Sequence, residues 1–237
     1  MTFKQLHWSR RELLSLLGGF AGSWLINSCT RSPLVGQRTS ASPSETRSSD
    51  IAQTAEPAAD TASISELPDA IAAILQDGAD PDAAFTALMP AVVEALQCDR
   101  CFLFIRDPHQ QRTRITHGYS RESRWPRMVQ ADWSPESPTL NAKDPLTLSA
   151  YQSPEAHFIE DIDTAPPETL DREFERAVFG HRALVHAPLY YDAKFYGILE
   201  PCVFETTRQW TASDRRLIEE LQQTLGTWIV RYLEAAV

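Results

Sequence analysis

Residues 179–204 read FGHRALVHAPLYYDAKFYGILEPCVF, and this stretch limits the fold more than any other in the chain. Two apolar runs, Ala183–Leu189 and Phe195–Phe204, flank a short polar turn at Asp192–Lys194. Strand-like runs this close together predict an antiparallel hairpin. Its turn carries Asp-Ala where Asp-Gly would be the easy chemistry. Glu200-Pro201 interrupts the second run, and a proline cannot donate to a ladder, so a bulge or a sheet edge is expected there. Glu200 is then either exposed by the bulge or aimed into a cavity.

The rest of the chain reads as segments that deliver or cover this hairpin. Ile64, Leu67, Ile71 and Ile74/Leu75 recur at helical spacing after Ser65 as N-cap, and Asp77-Gly78 stops that helix. Asp80-Pro81 opens a second helix with the stripe Phe85, Leu88, Met89, Val92, Val93 and Leu96; Pro90 predicts a kink in it. Cys101–Arg106 reads as a buried strand and Arg112–Tyr119 as a more polar one nearer an edge. Residues 120–147 show no period, and a loop this long in a compact domain is expected to be functional or ordered on a surface. His157–Asp161 reads as a short strand and Glu168–Val178 as a short helix. After the hairpin, Thr211–Asp214 opens a closing helix with a strong apolar stripe from Leu217 to Leu233. That helix is long enough to cover the sheet and still offer a seam to a partner.

The first residues follow a different logic. A basic start precedes an apolar run, Leu13–Ile26, that is too short and too rich in Gly and Ser to span a bilayer comfortably. It fits the apolar region of an export signal. Ser9–Leu14, with Arg10 and Arg11, resembles the twin-arginine motif, and Ile26–Cys29 resembles a lipobox that would lipidate Cys29. An uncleaved anchor and a plain amphipathic helix are the alternatives. Residues 30–62 are rich in Ser, Thr, Ala and Pro and read as a disordered tether. The expected division is a signal or anchor at 1–29, a tether at 30–62 and a single domain at 63–237, held at a membrane on the exported side, in a periplasm or thylakoid lumen. A net charge of −10 argues against a nucleic-acid surface.

The order helix, helix, strand, strand, insert, strand, helix, hairpin, helix resembles the GAF domain. Four places carry the resemblance: Cys98-Asp99-Arg100 before the first strand, Ile159-Glu160-Asp161 at the short strand, the hairpin with Ala183–Leu189 and Tyr196–Leu199, and Trp210–Asp214 opening the last helix. The resemblance implies an α+β fold: an antiparallel sheet with the two N-terminal helices and the C-terminal helix on one face, and an insert and pocket on the other. It is nearest to GAF domains of cyanobacteriochromes and phytochromes, which attach a bilin to a Cys on the helix before the hairpin. No Cys lies between Cys101 and Cys202, so covalent attachment of that kind is not expected. The cyclic-nucleotide-binding signature of the family is also absent; Asn141-Ala-Lys143 is not that motif.

Within this frame Trp133, Phe158, Phe174, His186, Tyr196 and Glu200 are the candidate pocket residues, with His181 as a further group within reach. Their ligand is unknown, and a non-covalent tetrapyrrole is one candidate. Cys98 and Cys101 form a CxxC that reads either as a disulfide or redox pair or as two small buried hydrophobes. No acid–base–nucleophile set emerges, so the expected role is not catalytic. Signalling is expected to run through a protein partner or a homodimer over helices 64–97 and 214–233. A ligand-free adaptor or membrane-complex subunit is the alternative.

Overall fold

The computed structural model describes residues 67–76, 78–136 and 144–235. The signal at 1–29, the tether at 30–62, the Ser65 cap and Asn141–Lys143 lie outside them. Helix α1 (Asp69–Ile74) leads to α2 (Pro81–Leu96), then β1 (Arg100–Asp107), β2 (Arg112–Ser120) and the two-residue β3 (Ser134–Pro135). Helix α3 (Pro145–Gln152), β4 (His157–Ile159), α4 (Arg172–Val178), β5 (Ala183–Tyr191), β6 (Lys194–Val203) and α5 (Ala212–Ala235) complete the order. The strands form one antiparallel sheet in the order β3-β2-β1-β6-β5-β4. The expected α+β arrangement is therefore present. The insert contributes more structure than its sequence announced, namely β3 and α3.

Local chemistry explains most element ends. Asp80 caps α2 by accepting from Ala83 N at 2.9 Å, with Pro81 at the first helical position. Thr211 and Asp214 form a reciprocal cap on α5: Asp214 N donates to Thr211 Oγ1 at 3.1 Å and Thr211 N to Asp214 Oδ2 at 2.9 Å. Asp144 caps α3 through Leu146 N and Thr147 N. That cap and Pro145 were the local signals for α3, but eight residues carry too few turns to show a period.

The sheet is buried on both faces. On one face Cys101, Leu103 and Ile105 of β1 and Val185, Ala187 and Leu189 of β5 pack against α1, α2 and α5. On the other, Phe104, Phe195 and Ile198 meet Ala150 of α3, and Leu184 and Cys202 meet Leu146, Ile162 and Leu170. Each fully buried Leu, Ile or Phe in such a core contributes roughly 1.5–3 kcal/mol. The α5 stripe, including Leu217, Leu221, Leu225 and Ile229, is turned inward, whereas Arg216, Glu219, Gln223 and Thr227 form its exposed face. The outer face of this helix is thus polar.

Two bulges decide which side chains reach which face. Leu103 pairs with His117 but Phe104 with Ile115, so Thr116 is the extra residue on β2. Leu189 pairs with Gly197 but Tyr190 with Phe195, so Tyr196 is the extra residue on β6. The bulge expected at Glu200-Pro201 is not there, and neither is an edge: β6 is a central strand with unshifted register across that point. Pro201 sits opposite Cys101 of β1, at a gap in the β5–β6 pairings between Leu199 and Cys202. That gap is where a residue without an N–H costs least.

The hairpin turn is strained where the sequence suggested. Asp192 and Ala193 both adopt positive φ, at 48° and 57°, the geometry for which Asn-Gly or Asp-Gly is the usual choice. Ala193→Gly should stabilise the protein by about 0.5–1 kcal/mol, read as a rise in Tm of about 2–4 °C; an unchanged or lower Tm would contradict the strain. At Gly226 of α5 an added Cβ would lie 2.0 Å from the Tyr190 carbonyl oxygen. Gly226→Ala should therefore cost about 1–3 kcal/mol in denaturant titration despite alanine's better helix propensity.

Candidate functional site

The second face of the sheet carries a cavity of about 70 Å3. Its floor is Phe102 and Phe104 of β1, Thr113 and Ile115 of β2, His186 of β5, and Ile198 and Glu200 of β6. Its cover is drawn from the insert and its helices: Gln130, Ser134, Asp144, Thr147, Phe174, Glu175 and Phe179. The Thr116 bulge turns Ile115 and Thr113 to this side and leaves His117 on the helical side against Phe85 and Tyr232. Gln130 fastens the insert to β2, with its N–H donating to Ile115 O at 2.9 Å and its Oε1 accepting from Ile115 N at 2.8 Å.

Of the candidate pocket residues, Phe174, His186 and Glu200 line the cavity together. Trp133, Phe158 and Tyr196 do not, the last two for reasons of register. Phe158 pairs with Val185 and so shares its face, where it stacks edge-on with Trp210 at 6.4 Å. Tyr196 is the bulged residue and joins the helical core instead of following Ile198 and Glu200. Trp133 lies under the Arg112 guanidinium, 4.5 Å from the ring centroid. Sequence reading passed over Arg100, Asp144 and Glu175. The Asp144-Pro145 cap signature and the placement of Glu175 just before the hairpin were the only signals for the two acids.

Behind the cavity lies a buried polar chain. His186 and Glu200 stand opposite each other, by the register that pairs Leu184 with Cys202 and Ala187 with Leu199. His186 Nδ1 is 3.1 Å from Glu200 Oε2. His181 Nε2 is 2.7 Å from Glu175 Oε2, and its Nδ1 is 3.4 Å from Arg100 Nη2. An arginine only donates, so Nδ1 of His181 is the acceptor and Nε2 carries the proton given to Glu175. Gly180, at φ 70°, makes the turn that returns His181 beside α4. Arg100 is fully buried, donates to Pro126 O at 3.2 Å and lies over the rings of Phe204 and Phe102. Asp99 beside it accepts from Phe204 N at 2.9 Å, so the Asp-Arg pair before β1 knits that strand to the end of β6.

Burial and neighbouring charges separate the protonation states. Burial drives His181 down to about 3, opposed by Glu200 and reinforced by Arg100 and His186. Burial, with Glu200 and Asp144 nearby, holds Glu175 well above the ordinary glutamate value, so its carboxyl is neutral. Burial also pulls on His186, but the hydrogen bond to Glu200 and the carboxyls of Glu200, Asp144 and Glu175 outweigh it and leave it raised. Three side-chain atoms of this set have no hydrogen-bond partner: Nε of Arg100, Oε1 of Glu200, and Nε2 of His186, a residue 3 % exposed.

Cys98, Cys101 and Cys202 are free, buried thiols. Burial raises all three, Cys202 to about 12 despite Arg100 beside it. Such thiols are poor nucleophiles. No group of three or more metal-ligating side chains occurs among the described residues.

The folded Glu175 keeps its proton to higher pH than the unfolded side chain, whose ordinary value is 4.5. The native state then binds more protons above that value, and stability from this group falls as pH rises. Glu175→Gln has no such ionisation. Its stability relative to the parent should improve steadily from about pH 5 to about pH 8 in paired urea titrations; a pH-independent difference would contradict a neutral Glu175.

Comparison with known proteins follows the same lines. The family model of the GAF domain matches residues 80–227. Among solved structures, the phycocyanobilin-bound GAF domain of a cyanobacterial phytochrome superposes with TM-score 0.55 at 19 % identity, covering 69 % of this chain and 92 % of that one. The GAF domain of an Acinetobacter phosphoenolpyruvate-protein phosphotransferase gives 0.53 at 13 % identity, covering 70 % and 92 %. Free methionine-R-sulfoxide reductase from Neisseria meningitidis, in complex with its substrate, gives 0.51 at 15 %, covering 70 % and 87 %. At these identities the likeness establishes a shared fold. A search of curated protein sequences found no match.

Proposed function

The chain belongs to the GAF domain family, a family of small-molecule-binding and sensory modules, and on that premise we propose that it is a non-catalytic sensor whose ligand sits under the β5–β6 hairpin. The observation that carries the reading is the unpartnered Nε2 of His186 in the wall of a buried cavity that four phenylalanines also line. A buried polar atom without a partner costs about 1–3 kcal/mol, and a ligand group that pairs with it removes that cost. The burial and raised values of the thiols support a non-catalytic role.

Cavity size favours a compact ligand. About 70 Å3 corresponds to roughly five water-sized groups at about 10–15 Å3 each, well below the roughly 300–1,000 Å3 of pockets for drug-sized ligands. A non-covalent tetrapyrrole, suggested by the bilin-bound structural neighbours, requires the cover to move outward. Covalent attachment to the helix before the hairpin has no thiol to use, since no Cys lies between Cys101 and Cys202.

The proposal includes export and membrane tethering, supported by Arg10-Arg11 and by Ile26–Cys29. No helix among the described residues is long and apolar enough to cross a membrane; the proposed tether is a lipid on Cys29, outside those residues, with an uncleaved anchor at 13–26 as the alternative. A protein partner or second copy would meet the polar outer face of α5.

Native mass spectrometry of protein purified from its own host tests the site: a stoichiometric small molecule lost on denaturation is expected. A ligand-free chain in a reproducible protein complex would instead establish the adaptor reading. Intact mass should show a lipid adduct at Cys29, and Cys29→Ser should move the protein from the membrane to the soluble fraction; retention at the membrane would contradict lipid tethering.

A further inference from the structure

The charges around the cavity are unequal, and this narrows the ligand class beyond the reading above, on which it rests. Three carboxyl-bearing side chains line the cavity, Asp144, Glu200 and the neutral Glu175, and His186 is the only basic one. All four are buried, at 3–5 % exposure. Arg100 sits behind the floor and is committed to Pro126 O and His181. Phe102, Phe104, Phe174 and Phe179 supply ring faces; Phe102 and Phe179 stack at 6.0 Å, and Phe174 meets Phe179 edge-on at 6.0 Å. Two buried side-chain atoms in the wall lack hydrogen-bond partners, His186 Nε2 and Glu200 Oε1. His181 Nδ1 lies 4.0 Å from the latter, beyond hydrogen-bonding distance.

Carboxylates and aromatic faces around a buried volume are the chemistry that recognises an organic cation. An anionic ligand would add a further negative charge in a low-dielectric site. We propose that this cavity binds a compact primary amine as its ammonium ion, with the nitrogen donating to His186 Nε2 and the Glu200 carboxylate and the apolar body lying against Phe102, Phe104 and Ile198. The volume sets the size at a chain of a few carbons.

Binding is coupled to proton release. For an ammonium to donate to Nε2, that atom must be unprotonated, with Nδ1–H retained toward Glu200. The groups acting on His186 are Glu200 from β6, Glu175 from α4, Asp144 ahead of α3, His157 from β4, and the neighbouring His181; together they favour its protonated form in the empty site. Amine affinity therefore rises with pH through the His186 titration, up to the amine's own ionisation at about 10. A carboxylate ligand would show the reverse slope.

Calorimetric titration of the full-length protein with isobutylamine, isobutanol and isobutyrate at about pH 6 and about pH 8 tests this. Isobutylamine should bind at least about tenfold more tightly than either isostere at the higher pH. It should weaken at the lower pH and release protons, seen as a heat that depends on buffer ionisation. Glu200→Gln should cost the amine about tenfold while the variant keeps the parent's circular dichroism. Tighter binding of isobutanol or isobutyrate would overturn the amine assignment and leave the cavity a ligand site. Binding of none of the three, or amine binding without pH dependence, would also overturn it. Should Glu200→Gln fail to fold, the three-ligand series on the parent protein decides alone.

Discussion

The β5–β6 hairpin is buried on both faces, and the rest of the domain is arranged around that constraint. A strand pair with solvent on one side needs one core; this one needs two. Val185, Ala187 and Leu189 point into the helical core, and Leu184 and His186 point the other way. The closing helix and α2 satisfy the first demand. The insert, α3 and α4 satisfy the second, and because they cover it incompletely a cavity remains. A histidine and a glutamate opposite each other in that second layer, 3.1 Å apart, are costly to bury and costlier to separate. Removing one member of such a pair typically destabilises by about 3–5 kcal/mol.

The two bulges make this arrangement possible. Were Thr116 paired in the ladder instead of bulged, Ile115 would share the face of His117 and turn to the helical side, away from Phe102 and Phe104 on the cavity floor. Were Tyr196 paired in the ladder instead of bulged, it would share the cavity face of Ile198 and Glu200, and Phe195 would turn to the helical side. Single-residue insertions are how an alternating strand serves different neighbours along its length. The central position of Pro201 fits the same economy, since it falls at a gap in the ladder beside the His186–Glu200 pair.

Much of this was legible in the chain. The hairpin, its strained turn, the Asp80-Pro81 and Thr211–Asp214 caps and the α5 stripe are local signals, and each appears where its residues placed it. What failed to show was non-local. Helix α3 and β3 are too short for a period. Phe158 and Tyr196 read as pocket aromatics because composition names residue types and register decides faces. Glu200 was readable as either exposed or cavity-facing, and only the absence of a bulge at Pro201 selects the second. The role of Arg100 at the site did not show because its contact with His181 joins segments 81 residues apart in sequence.

The proposed ligand lies against His186 Nε2, in the cavity between the two-faced hairpin and its cover. A high-resolution crystal structure of the protein purified from its native host tests this most directly. The account expects ordered density in the cavity with an atom within hydrogen-bonding distance of His186 Nε2, and the His186–Glu200 pair intact beneath it. A cavity that is empty or filled by the surrounding side chains, with Nε2 satisfied from within the protein, would contradict it.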